Sequence, residues 1–230
     1  MRRVLLGTPS HDGKVDVYYA HSLAESVRLC SRKDIDLRPL FMAYDSIVQN
    51  ARNDIVALAV RNDFDDLIFA DADQEWKPEW IPKLLSYPVD CVGAAVRKKS
   101  DREELYNVRA SKGAISFVPH QSAPILTAYE MALGCGFLRL SKKALQVLWN
   151  SSEEYTVFRG KEQSRWIFDI RPVNGVLTGE DTMMNFKLAK HGIATWVDPH
   201  MTCGHVGVKK YDGDFASYLA RLRIKEAESA

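Results

Sequence analysis

Cysteine is scarce and dispersed in this chain, at positions 30, 91, 135 and 203 of 230, with no CxxC pair. Reduced thiols in a cytosolic compartment fit that scatter better than a disulfide framework, and no cysteine pair stands at finger spacing. Charge of one sign is absent as well: the formal net charge is +1, so no global field announces nucleic acid or an acidic partner. No apolar run approaches the roughly 20 residues of a membrane helix, so no membrane partner is expected. Only four apolar or small residues follow Met1-Arg2-Arg3 before Thr8-Pro9, too few for the core of a signal peptide. Repeats, low-complexity tracts and linkers are missing too, and neither GxGxxG nor GxxxxGK[ST] occurs.

What is there is a chain 46% hydrophobic, enough to bury one substantial core in a single domain, 1–230. Residues 4–7 read as a first strand and 8–13 as the loop after it; 17–30 read as a helix and 34–40 as a second strand. Ser46 is positioned to cap a helix carrying Ile47, Ala51, Ile55, Leu58 and Ala59 at helical spacing. A third strand ends at Asp71, a helix follows over 78–86, and 89–96 form a fourth strand. This alternation predicts an α/β fold with a mostly parallel, Rossmann-like central sheet flanked by helices. Beyond residue 96 the pattern loosens into a polar segment and hairpin-like runs over 105–118 and 125–133. A strand over 134–140, a helix capped by Ser141, a helix from Glu180 to a C′ glycine at Gly192, and a strand over 193–197 follow. Phe215, Tyr218, Leu219 and Leu222 mark a C-terminal amphipathic helix. The first half, 1–96, reads as nucleotide-binding and 97–230 as a smaller, more irregular acceptor-side half.

The most informative stretch is Leu67-Ile68-Phe69-Ala70-Asp71-Ala72-Asp73. An apolar run of strand length, buried on both faces, ends in two acids spaced i, i+2. Ligands of open α/β sheets bind outside the carboxyl ends of such strands, and alternate residues on an extended chain share a face. Two carboxylates there suit Mg²⁺ or Mn²⁺, whose shells are completed by phosphates and water. The other reading is that these acids cap the helix beginning near Pro78-Glu79-Trp80.

Four further segments fall in order around this one: Gly7-Thr8-Pro9 with Asp12-Gly13-Lys14, then Ala51-Arg52-Asn53, Gly134-Cys135-Gly136-Phe137, and Gly179-Glu180-Asp181; His205-Val206-Gly207 closes the series. Together with the DxD of Asp71-Ala72-Asp73, the series resembles the GT-A fold glycosyltransferases of the family 2 type, over most of the chain. The resemblance implies that the loop at Thr8, Pro9 and Asp12 holds a nucleoside, and that Arg52 and Ala72 lie at the donor. Gly134 and Gly136 would sit beneath the donor sugar, and Asp73, His205 and Asp71 at a Mn²⁺ (or Mg²⁺) ion. Imidazole favours Mn²⁺ of the two. Asp181, or Glu180, would deprotonate the acceptor, and Lys209 and Lys210 would close over the diphosphate. Each has a plainer reading. Arg52 can pair with Asp54 or Asp45; Asp181 can be a helix-capping acid, since the dipole that stabilises it opposes the raised pKa of a base. Lys209 and Lys210 can form a solvated turn, and Cys203, His205 and His200 can be read as a zinc set.

The expected activity is transfer of a sugar from a nucleoside-diphosphate donor, UDP-glucose by default, to an acceptor hydroxyl. The compact form and the Asp-Gln-Glu-Trp after the DxD resemble short phage-encoded glycosyltransferases, which implies a host-cytoplasm setting and hydroxymethylated pyrimidine in DNA as one acceptor. Residues 97–112 hold six bases against three acids, and 209–225 five against two. Such segments can neutralise phosphates, with Trp76, Trp80 or Tyr106 stacking on a flipped base and Lys98 and Lys99 at the acceptor. A glycan, lipid-linked or protein acceptor, a non-catalytic sugar-nucleotide-binding module, and a phosphatase of the haloacid dehalogenase type are the alternatives.

Overall fold

The computed structural model describes residues 1–110, 117–128, 131–157 and 162–228, with side chains at the C-terminus up to residue 223. Six strands of five or more residues form the heart of the sheet: β1 Arg2–Ser10, β2 Ile35–Ala43, β3 Asp66–Ala70, β4 Cys91–Val96, β5 Phe137–Ser141 and β6 Thr195–Val206. Their spatial order is β2-β1-β3-β5-β4-β6, extended beyond β6 by the short strands Leu126–Thr127 and Val118–Pro119. Only β5 runs against the other five, pairing antiparallel with both β3 and β4. The chain is thus a mixed α/β fold with a mostly parallel sheet, as the alternation of patterns predicts.

Among the described residues six helices cover it: α1 Val17–Ser31, α2 Val48–Arg61, α3 Trp80–Ser86, α4 Lys142–Ser151, α5 Glu180–Lys190 and α6 Phe215–Glu228. Two apolar layers lie on opposite faces. Tyr19 and Cys30 of α1 join Ile81 and Leu84 of α3 on one face. Ile55, Leu145, Leu188 and Phe215 bring α2, α4, α5 and α6 to the other. All five residues of β3 are buried, Leu67 and Phe69 in one layer and Ile68 and Ala70 in the other. That two-sided burial is why the run before Asp71 lacks polar alternation.

Several boundaries differ from expectation, each for a tertiary reason. Thr8, Pro9 and Ser10 are strand rather than loop, in parallel register with Phe41, Met42 and Ala43. Pairing with β3 stops at Gly7, so Pro9 lies where β1 has a partner on one side only. Ser46 does not cap α2: the N-cap is Ile47, whose N–H donates to the Asp45 carboxylate at 2.9 Å. Residues 134–136 precede β5 instead of opening it, whereas Ser141 caps α4 as its position predicts, its hydroxyl accepting from Ala144 N at 3.2 Å. The last strand is far longer than 193–197. It crosses an irregularity between Asp198 and Thr202, resumes beside Ala95 and Val96, and then pairs with Gln74 and Glu75. Parts of the hairpin-like runs over 105–118 and 125–133, and Lys112, lie outside the described residues.

No helix among the described residues is long and apolar enough to cross a membrane. The four cysteines are free and buried.

Candidate active site

The carboxyl ends of β1, β2 and β3 open onto one cavity of about 540 Å³, a volume suited to a small ligand. Pro9, Asp12, Asp16, Asp45, Arg52, Asp71, Ala72, Asp73 and His205 are among its lining residues. The loop leaving β1 is fixed from several sides. The Ser10 hydroxyl donates to Lys14 O at 2.7 Å, the Asp12 carboxylate accepts from Lys14 N at 3.1 Å, and Asp16 N donates to Ala72 O at 2.9 Å. Asp16 also caps α1, accepting from Tyr18 N at 2.8 Å. Gly13 holds φ +72, and a Cβ there would fall 2.6 Å from the Tyr44 ring, so the turn requires glycine.

Asp71 and Asp73 leave β3 with distinct partners. The buried Arg52 donates to Asp71 Oδ1 at 3.1 Å and to Glu180 Oε1 at 2.5 Å, joining the third strand to the start of α5. Burial alone would lower the guanidinium pKa, but Asp71 and Glu180 with their neighbours raise it above the ordinary value. Asp73 Oδ2 receives Lys99 Nζ at 2.5 Å and lies 3.3 Å from His205 Nε2. Burial pushes that carboxyl up, yet the hydrogen bonds and charge of His205 and Lys99 prevail and hold it down at about 2. His205 Nδ1 lies 2.8 Å from Arg97 O. A carbonyl only accepts, so Nδ1 carries a hydrogen and Nε2 is the atom turned to Asp73.

Both glycines of Gly134-Cys135-Gly136 sit against acids of the site. A Cβ on Gly134 would come within 3.1 Å of Asp181 Oδ2 and 2.9 Å of Asn107 Nδ2; one on Gly136 would come within 3.4 Å of Asp71 Oδ2. The Gly136 carbonyl accepts from Asp71 N at 3.1 Å. Glu180 and Asp181 occupy the first turn of α5, where the helix dipole favours them. Asp181 Oδ1 accepts from Thr182 N at 2.7 Å, which leaves Oδ2 toward Gly134.

The structure therefore joins Asp71, Asp73, His205, Arg52, Ala72, Pro9 and Asp12 at one cavity and brings Glu180 to it through Arg52. Other expectations are corrected. The Asp71 and Asp73 carboxylates do not cap α3, whose N-cap is Glu79 without a side-chain bond. Arg52 pairs with neither Asp54 nor Asp45 but with Asp71 and Glu180. Thr8 is fully buried, its hydroxyl bonded to Tyr19 rather than facing a ligand. Trp76 is a core residue at 3% exposure, donating to Ser26 Oγ and packed against Tyr19 and Phe137; Trp80 and Tyr106 are buried too. None of these rings is free to stack on a base.

Lys209 pairs with Asp101, and Lys210 with Glu75 and Asp212, so neither lines the cavity. Lys98 borders a separate apolar cleft with Leu105 and Tyr106. Cys203 is buried in the core and His200 is exposed, which removes the zinc set. No group of three or more His, Cys, Asp or Glu side chains that could hold a metal is assembled among the described residues. Asp16 and Asp45 also line the cavity; their sequence signals are a capping position just before α1 for Asp16 and a position just past the end of β2 for Asp45. Lys99 belongs to Asp73 rather than to an acceptor surface.

The fold and site define an α/β protein with an acid-lined cavity at the carboxyl edge of a parallel sheet. No protein-family model matches the chain, and no curated protein matches it. Among solved structures, it is similar to the crystal structure of A197 from STIV, at 16% identity and a TM-score of 0.52 over 90% of this chain and 86% of that one. A second similar structure is described as a glycosyltransferase involved in the glycosylation of the major capsid of PBCV-1, at 12% identity and a TM-score of 0.35 over 64% of this chain and 63% of that one.

Proposed function

We propose that this chain is a glycosyltransferase of the GT-A type, moving a sugar from a nucleoside-diphosphate donor to an acceptor hydroxyl. The observation that carries the reading is the convergence of four separate segments, around Pro9 to Asp16, Asp45 to Arg52, Asp71 to Asp73, and His205, on one cavity at the carboxyl edge of the sheet. Five carboxylates against Lys14 and Arg52 line that cavity, an arrangement that disfavours a bare diphosphate and favours one accompanied by a cation. Two donors stand ready for a divalent ion whose shell the diphosphate and water would complete: Asp73 Oδ2 and His205 Nε2 face each other at 3.3 Å, with Nδ1 already committed to Arg97 O. Imidazole beside carboxylate suits Mn²⁺ better than Mg²⁺. When bound there, the ion supplies Lewis-acid stabilisation to the departing diphosphate.

The chain's own groups account for the rest. Arg52 holds both Asp71 and Glu180 in place, so Asp181 is the carboxylate left to take the acceptor proton in an inverting transfer. Gly134 lets Asp181 Oδ2 approach the loop before β5 without a side chain intervening. The loop from Pro9 to Asp16, tied to Ala72 O through Asp16 N, holds the nucleoside.

The test is calorimetry of UDP binding with Mn²⁺ and with chelator, joined to release of diphosphate from a panel of sugar nucleotides. The expected result is metal-dependent UDP binding and donor hydrolysis, both lost in Asp73→Ala. Binding without hydrolysis of any donor would make the chain a sugar-nucleotide-binding module; equal affinity with chelator, and no hydrolysis, would overturn the reading. Phosphate release from simple phosphomonoesters would point to the dehalogenase-type alternative.

A further inference from the structure

Lys99 lies in the polar segment after β4, yet its ammonium is the nearest positive charge to Asp73, 2.5 Å from Oδ2. That oxygen also faces His205 Nε2. Its aliphatic stem lies over Gly207, where a Cβ would come within 3.1 Å of Lys99 Cδ and 3.5 Å of Cε. The segment that presents it is closed on itself: Arg97 bridges to Tyr106, Lys98 N donates to Leu105 O at 2.8 Å, and Ser100 N to Lys98 O at 2.8 Å. Arg97 in the same segment orients His205 through its carbonyl. One segment of chain therefore sets both partners of Asp73 Oδ2.

Resting on the glycosyltransferase reading above, we propose that Lys99 is a positioning residue of the donor site: its ammonium holds Asp73 until a divalent cation arrives with the nucleotide, and it then pairs with the donor's diphosphate. Two charges cannot share one carboxylate oxygen at contact distance without repulsion, so an entering cation displaces the ammonium from Oδ2. Arg52 is already held by Asp71 and Glu180, and Lys14 lies beside Asp12, which leaves Lys99 as the cation on Asp73 itself able to follow the phosphates. A half-exposed lysine suits this exchange, because it is a point charge on a flexible stem with three rotatable donors. The consequence is a site that binds cation alone weakly and cation with nucleotide well.

Lys99→Met keeps the stem and removes the charge, and Gly207→Ala crowds the stem while keeping the charge. Mn²⁺ binding without nucleotide, followed by electron paramagnetic resonance, is expected to tighten roughly twofold to fivefold in both variants, the scale of one exposed ion pair. UDP affinity at saturating Mn²⁺ is expected to fall by a similar factor in Lys99→Met. Opposite shifts of this kind are not produced by a loss of local order, which weakens both. Unchanged Mn²⁺ affinity in Lys99→Met, or weakening of Mn²⁺ and UDP together, would overturn the proposal while leaving the cation site intact. Failure of the unaltered protein to bind Mn²⁺ even with UDP present would overturn the cation site and this inference with it.

Discussion

Arg52 bridges two carboxylates from different elements, and this decides which acid is left outside the pair. With Nη1 on Glu180 and Nη2 on Asp71, the guanidinium is taken up, and Asp181 in the first turn of α5 makes no ion pair among the described residues. Asp181→Asn is therefore expected to lower kcat by roughly 10²-fold or more with donor affinity retained, since a base acts in the transition state. Single-turnover transfer and UDP calorimetry on the variant check it; near-normal kcat would assign Asp181 to helix capping. Asp73 makes a second prediction. Its folded carboxyl is held down at about 2 against an ordinary value near 3.8, so the stability it contributes is complete above about pH 4 and disappears between about 4 and 2. Asp73→Asn is expected to flatten that part of the acid-unfolding profile, followed by circular dichroism. At this scale, the pair at Asp71 and Asp73 was legible because strand burial and acid spacing are local. The partners of Arg52 were not, because Glu180 lies 128 residues away and only the fold brings it near.

Among the elements, β3 and β6 show opposite degrees of legibility. β3 is read directly, since a strand buried on both faces is uninterrupted hydrophobic sequence up to its acidic end. β6 is read only at its start. Asp198-Pro199-His200 interrupts the apolar pattern, and the strand resumes because Thr202 and Cys203 find Ala95 and Val96. That resumption is what carries His205 to the cavity. The junction of β3 with β5 hides another contribution invisible in sequence: Asp66, fully buried, receives Arg2 Nε at 2.6 Å and Arg139 Nε at 2.6 Å. Removing the carboxylate strands a buried Arg139 guanidinium, so Asp66→Ala is expected to cost about 3–5 kcal/mol. Urea unfolding measures it. A loss under 1 kcal/mol would mean that water solvates the arginines once the acid is gone.

Across the whole molecule, four of the bases in the two basic segments are spent internally. Lys99 holds Asp73, Lys209 pairs with Asp101, Lys210 with Glu75 and Asp212, and Arg221 with Glu104. Lys112 and the side chain of Lys225 lie outside the described residues. The cavity is itself rich in carboxylates, and Trp76, Trp80 and Tyr106 belong to the core. An extended phosphate backbone would thus meet few open cations near the site and no exposed ring from this set to fill a flipped-out gap. Each neutralised phosphate contributes nearly one unit to the slope of log affinity against log salt. We therefore expect duplex DNA to bind with a slope below about 3 in magnitude, and labelled sugar to pass to hydroxymethylated duplex no faster than to unmodified duplex. Fluorescence anisotropy across a salt series and a transfer assay on both duplexes test this. A steep slope with selective transfer to the hydroxymethylated strand would make DNA the acceptor after all. It would then require Lys98, Arg102 and Arg109, which are exposed, to carry the phosphate contacts, and charge reversal at Lys98 would raise the KM for DNA while donor hydrolysis stayed constant.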